Sequence, residues 1–173
     1  ASVLGKTAQI PLTTYLTFEQ SYSGVDGDSA SMAECCAIIS AISEQAIRQD
    51  IAITGSMNQF GEAQPIGGVN EKIEGFFDVC KIKGRTPEQG VIIPASNMAN
   101  LMLRKDIVDA VAQGEFHIWA ITHVTQAMEL LLGKTAGSLP QTAAPSQGQY
   151  SPESIFGIAQ QKLTALRSLV KTD

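Results

Sequence analysis

Apolar residues occur in short clusters between polar turns, and the spacing inside each cluster changes along the chain. Thr7 to Glu19 sets Ile10, Leu12, Leu16 and Phe18 among threonines, which predicts one long strand or two short ones. Ser21 to Asp28 is a polar connection containing Gly24 and Gly27. From Ser29 to about Arg48 the spacing is helical. Met32, Ala33, Cys35, Cys36, Ile38, Ile39 and Ile42 cover most of the circumference there, so a buried helix is expected. Ile51 to Thr54 reads as a short strand, Ser56 to Gln59 as a turn, and Phe60 to Gln64 as a second strand. Asn70 to about Cys80 is helical, with Ile73, Phe76 and Phe77 to one side. Gly90 to Ile93 is a buried strand ended by Pro94. Helices are predicted over Ser96–Leu103 and Arg104–Gln113, a strand over Phe116–Ile121, and a helix from Thr122 to near Gly133. Strands alternating with helices predict an α/β (α+β) core with some parallel pairing.

The pattern breaks after Leu132. Gly133 to Ser151 is built from Gly, Ser, Thr, Ala, Gln and Pro, the composition of a flexible linker. Pro152 then starts an amphipathic stretch in which Ile155, Phe156, Ala159, Leu163, Leu166 and Val170 recur at three- and four-residue steps. The expected organisation is a domain over 1–133, a linker over 134–151 and a helix over 152–173. That helix has an apolar stripe to cover, against its own domain or against a neighbouring subunit.

Composition narrows the function classes. With 173 residues, 44% of them hydrophobic, the chain can bury a core without disulfides or metal. A net charge of −5 offers no basic face for nucleic acid. No apolar run approaches membrane-spanning length, and the first residues lack the apolar stretch of a signal peptide. Because the chain starts at Ala1 without a Met, it reads as a fragment or processed product. Cys35, Cys36 and Cys80 are odd in number and two are adjacent, which suits a reducing cytoplasm better than a disulfide framework. His117 reads as a strand residue and His123 as a helix-start residue, neither at metal-ligand spacing. Gly133-Lys134-Thr135 lacks the upstream glycine of a phosphate loop and closes a helix where such a loop would open one, so no ATP site is expected in this chain.

Two segments carry candidate chemistry. Asp26-Gly27-Asp28-Ser29-Ala30-Ser31 puts a hydroxyl at the mouth of a helix, where backbone N–H groups can stabilise an oxyanion. Pro65-Ile66-Gly67-Gly68-Val69-Asn70-Glu71-Lys72 puts an amine one turn into another helix, behind a loop able to shield it from water. A serine needs a base, and burial favours the neutral amine that can act as one. Ser29 as an ordinary helix cap and Lys72 as a solvated surface lysine are the plain alternatives. Glu34 reads as a polar facet of its helix. A hydroxyl such as Thr54 can orient the amine.

Those segments, with Ile53-Thr54-Gly55 and Gly61-Glu62 between them and Gly90-Val91-Ile92-Ile93-Pro94 after them, resemble the proteolytic domain of the Lon family over roughly residues 1–133. Val69-Asn70-Glu71-Lys72-Ile73-Glu74-Gly75-Phe76-Phe77 is similar to the bacterial Lon-related, or protease La homolog, branch. The resemblance implies Ser29 as nucleophile, Lys72 as general base, Thr54 orienting Lys72, and Asp26 as an acidic position beside the site. It implies a serine endopeptidase acting through an acyl-enzyme on unfolded or damaged proteins. It also implies a cytoplasmic homo-hexamer driven by an ATP- and magnesium-dependent module absent from this chain, and further strands ahead of Ala1. Asp28 and Ser31 depart from the Pro and Gly of many members, and Asp28 adds a charge that can occlude the site. A second reading is a catalytically silent scaffold, since the fold also resembles the terminal domain of the DNA-repair protein RadA. A small-molecule hydrolase is a third, but it would want a Gly-Xaa-Ser-Xaa-Gly elbow and a histidine, which Ser29 lacks.

Overall fold

In α2 (Val69–Lys83) the fully buried residues are Val69, Ile73, Phe77 and Cys80, a stripe at helical spacing. This stripe organises the part of the molecule that holds the candidate chemistry. The computed structural model describes residues 12–18, 27–139 and 149–170, in two compact units: 27–34 with 48–127, and the remaining described residues. The predicted strands over Thr7–Glu19 lie largely outside the described residues, and 12–18 form neither strand nor helix.

In the first unit, β1 (Ile51–Ile53), β4 (Gly90–Pro94) and β5 (His117–Ile121) form a parallel sheet in the order β1-β4-β5, with Ile51 opposite Gly90 and Gly90 opposite His117. The α2 stripe packs with Val91 and Ile93 of β4, Ile107 and Ala110 of α3 (Lys105–Ala112), and Phe116. Phe77 meets Phe116 edge-on, ring centroids 5.0 Å apart. Gly90 has to be glycine: a Cβ there would lie 2.3 Å from the His117 carbonyl oxygen and 2.6 Å from the Trp119 ring. The mixed helix and small-sheet architecture is the α/β class expected. Residues Ala95–Asn100 form a 3-10 turn where a short helix was expected.

The hairpin differs from the sequence reading. β2 (Ser56–Met57) pairs antiparallel with β3 (Ala63–Gln64), so the residues read as a turn form a strand and the turn lies at Asn58–Glu62. The Asn58 side chain accepts the N–H groups of Phe60 and Glu62, closing the turn locally. Polar strand residues this short carry no periodicity to read.

α1 (Ser31–Ser43) starts two residues after Ser29 and ends before a left-handed Glu44, shorter than the 29–48 expected. Met32, Cys36, Ile39 and Ser43 are buried while Ala33, Cys35, Ile38 and Ile42 are half-buried, so one stripe is covered and the full circumference is not. α4 (Val124–Leu132) and α5 (Ile155–Val170) complete the helices. In the second unit the carbonyls of Thr135 and Ala136, within the expected linker, accept the N–H groups of Ile155 and Phe156 at the start of α5. Lys162 of α5 pairs with Glu44 at 2.6 Å.

Across the α2–α3 contact, Arg104 bonds Asp78 and Asp106, and Lys81 also reaches Asp106. The Arg104 guanidinium holds both carboxyls below their ordinary value of 3.8. Depressed carboxyls contribute stability above the unfolded-state pKa and lose it as pH falls through the folded one. Arg104→Met should therefore lower the urea midpoint at neutral pH, and its gap from the unsubstituted protein should close below about pH 4. An unchanged gap in acid would mean these exposed pairs contribute nothing.

Candidate active site

Four consecutive contacts bind the turn before α1 to the end of β1. Gly55 N–H donates to the Ser29 carbonyl at 2.8 Å, and Met32 N–H donates to the Gly55 carbonyl at 3.2 Å. The Thr54 hydroxyl donates to the Ser29 carbonyl at 3.4 Å, and the Ser56 hydroxyl donates to Asp28 Oδ2 at 2.5 Å. Thr54-Gly55-Ser56 is thus the anchor that fixes where Ser29 stands.

Lys72 arrives from the other side. Gly68, at φ 67°, turns the chain into α2 in the left-handed region that only glycine enters freely, and its carbonyl accepts the Lys72 N–H. The loop before it is pinned by Asn97, which is 5% exposed: its side chain accepts the Ile66 N–H and donates to the Ile66 carbonyl. Asn70 adds bonds to the Asn100 carbonyl and the Met102 N–H. Asn97→Ala would strand both Ile66 groups, and should cost about 2–3 kcal/mol in a denaturant titration. A loss near zero would mean water replaces the amide.

The two approaches converge. Lys72 Nζ lies 2.8 Å from Ser29 Oγ and 3.4 Å from Thr54 Oγ1. Thr54 is buried, at 8% exposure, and its proton points to the Ser29 carbonyl. Its oxygen is therefore free to accept from the amine, which also lies within hydrogen-bond reach of Ser29 Oγ. Ser29 does not cap α1 with its hydroxyl: Ser31 makes the local bonds, through N–H and Oγ to the Asp28 carbonyl. The expected shielding of the amine is corrected, because Lys72, Pro65, Gly67 and Gly68 are all exposed. A two-glycine loop brings backbone near the serine turn but supplies no side chain to cover the amine.

The other candidates separate. Asp26 lies outside the described residues. Asp28 is exposed and bonded to Ser56, and Lys72 forms no ion pair among the described residues. His117 opens β5. His123 stands one residue before α4, and both ring nitrogens are engaged, Nε2–H with the Phe60 carbonyl and Nδ1 with Thr125. No group of three His, Cys, Asp or Glu suited to a metal occurs among the described residues. Burial pushes the Cys36 thiol up to about 12, so it is no nucleophile. Gly133-Lys134-Thr135 ends α4, where carbonyls and not N–H groups face outward, so these residues do not fit a triphosphate. Ser56 and Asn97 were missed in the sequence: each acts on a segment distant along the chain, and no local pattern marks a polar residue that will be buried.

Residues 20–134 match the family model described as the Lon protease (S16) C-terminal proteolytic domain. The chain belongs to the Lon protease family. It is 60% identical over 124 residues to a protein of Escherichia coli K12, covering 72% of this chain and 21% of that one. It is 47% identical over 134 residues to one of Haemophilus influenzae, covering 78% and 22%. Both carry the name "Putative Lon protease homolog". An archaeal Lon protease of Methanocaldococcus jannaschii is 48% identical over 88 residues, covering 51% of this chain and 12% of that one. The chain thus spans about a fifth of the length of these two relatives. The Lon-type peptidase domain and the Lon-related branch stand as read, and no described helix is long and apolar enough to cross a membrane.

Proposed function

We propose that this Lon-type peptidase domain is a serine endopeptidase whose nucleophile is Ser29 and whose general base is Lys72. The reading includes an ATP-dependent longer protein, a six-membered ring, a cytoplasmic setting and unfolded or damaged proteins as substrates. The observation that carries it is the 2.8 Å approach of Lys72 Nζ to Ser29 Oγ, made by residues 43 apart in sequence. That distance suits proton transfer in either direction.

In this reaction the neutral amine takes the Ser29 proton as Oγ bonds to the peptide carbonyl carbon. The carbonyl oxygen becomes an oxyanion, which would need backbone N–H groups beside Ser29 other than those of Ser31 and Met32, since these already donate to the Asp28 and Gly55 carbonyls. Collapse breaks the C–N bond, and Lys72 returns the proton to the departing amine. Water then adds to the acyl-enzyme, losing a proton to Lys72, and Ser29 leaves with that proton. Because Lys72 is exposed, the bound peptide itself excludes water from the amine. Thr54 holds the amine through its oxygen.

A silent scaffold is the weaker reading, because assembly needs no contact between a helix-mouth hydroxyl and a lysine amine. A fluorophosphonate probe separates the two. Ser29 Oγ would bond to phosphorus as fluoride leaves and Lys72 takes the proton, adding the probe mass less HF at Ser29 in intact-mass and peptide-mapping measurements. No adduct at Ser29 in the full-length protein would overturn the peptidase reading.

A further inference from the structure

Ser56 opens β2, and its hydroxyl has no part in the steps above. It is 2% exposed, and its 2.5 Å bond to Asp28 Oδ2 has the length of a hydroxyl donating to a charged carboxylate. Asp28 is the opposite kind of residue: exposed, and adjacent in sequence to Ser29. Neighbouring Cα atoms stand about 3.8 Å apart, so a carboxylate at 28 has the groups around Ser29 within its range. An ionised carboxylate beside an amine favours the ammonium form, and an ammonium cannot accept the Ser29 proton.

The contacts of Lys72 avoid this. Its amine meets two hydroxyls and, among the described residues, no carboxylate at ion-pair distance. The acidic residues of its own helix are disposed elsewhere: Glu74 accepts the Arg104 N–H, and Asp78 bonds the Arg104 guanidinium. Among the described residues, Glu71 and, on α1, Glu34 form no ion pair with it. Asp28 is the acidic residue nearest Ser29 along the described chain, and the bond from Ser56 is what fixes its carboxylate. Ser56 can do so because it is itself held, paired in β2 opposite Gln64 and preceded by Gly55, which bonds the Ser29 carbonyl and the Met32 N–H.

We propose that Ser56 is a positioning residue for the Ser29–Lys72 reaction: it holds the Asp28 carboxylate away from the Lys72 amine, keeping that amine available as a base. The inference rests on the proposed peptidase reading. It assigns Asp28 a restrained position in place of a fixed block over the site, with the restraint supplied from β2. A bond that merely tied β2 to the turn would matter whether residue 28 were charged or neutral. A bond that restrains a charge matters only while the charge exists.

The test is the second-order rate of fluorophosphonate labelling at Ser29 in the full-length protein, for the unsubstituted protein, Ser56→Ala, Asp28→Asn and the double variant, with thermal melting of each as a folding check. Ser56→Ala should lower the rate about tenfold or more, the loss typical of removing a donor from a charged acceptor. The same substitution on top of Asp28→Asn should change it less than about twofold, as expected once the charge to be restrained is gone. Ser56→Thr, which keeps the hydroxyl, should recover most of the rate. Equal losses in both backgrounds, or no loss in either, would overturn the proposal while leaving Ser29 a labelled nucleophile. An unsubstituted protein that never labels at Ser29 overturns the peptidase reading, and this one with it.

Discussion

Lys72→Arg should be as inactive as Lys72→Ala, with Ser29 labelling and peptide cleavage each reduced about 10²–10⁴-fold. Arginine keeps the positive charge and the reach of lysine, but its guanidinium does not give up a proton in proteins. The comparison therefore separates two jobs a cation can do beside a serine. If Lys72 only attracted or oriented, arginine would restore much of the activity. If it accepts the Ser29 proton across the 2.8 Å contact, arginine restores none. Ser29→Ala should abolish labelling outright, and Ser29→Ala with Lys72→Ala should cleave no worse than either alone, because residues acting as one unit are not additive. On the proposed reading of an ATP-dependent longer protein, its ATP hydrolysis should persist in all of them. A Lys72→Arg variant retaining more than about a tenth of the cleavage rate would remove Lys72 from the role of base.

Why Ser29 and Lys72 were legible in the sequence, and Ser56 and Asn97 were not, has a physical basis. Helix mouths announce themselves: Gly-Asp turns before an apolar helix at Ser29, and a Gly-Gly step before another at Lys72, reflect backbone conformations few residues permit. Buried strands such as Gly90–Pro94 show as apolar runs for the same reason the core exists. Ser56 and Asn97 gain their roles from partners 28 and 31 positions away, a matter of tertiary placement. β2 went unread because a two-residue strand of Ser and Met has no period. The exposure of Lys72 shows the converse limit. The loop composition permitted a close approach, and only the fold decides whether anything stands over the amine.

Phe77→Ala should be the most damaging single change to the sheet unit, costing about 3–5 kcal/mol. The ring is 1% exposed and meets Phe116 edge-on, within a cluster contributed by α2, β4 and α3. Truncation removes its burial and leaves a cavity between elements that β4–β5 pairing prevents from closing. Phe77 stands five residues after Lys72 on the same helix, so its packing sets the height and rotation at which the amine is presented to Ser29. Labelling at Ser29 should therefore fall in Phe77→Ala even under conditions where the variant remains folded, because a contact between two elements is sensitive to small shifts of either. Phe77→Leu, which refills most of the volume, should recover most of both properties. Urea unfolding and the labelling rate measure the two effects independently. A Phe77→Ala protein losing less than about 1 kcal/mol would mean that α2 is not held on the sheet by this stripe, and that the approach of Lys72 to Ser29 depends on the Asn97 and Gly68 end of the helix instead.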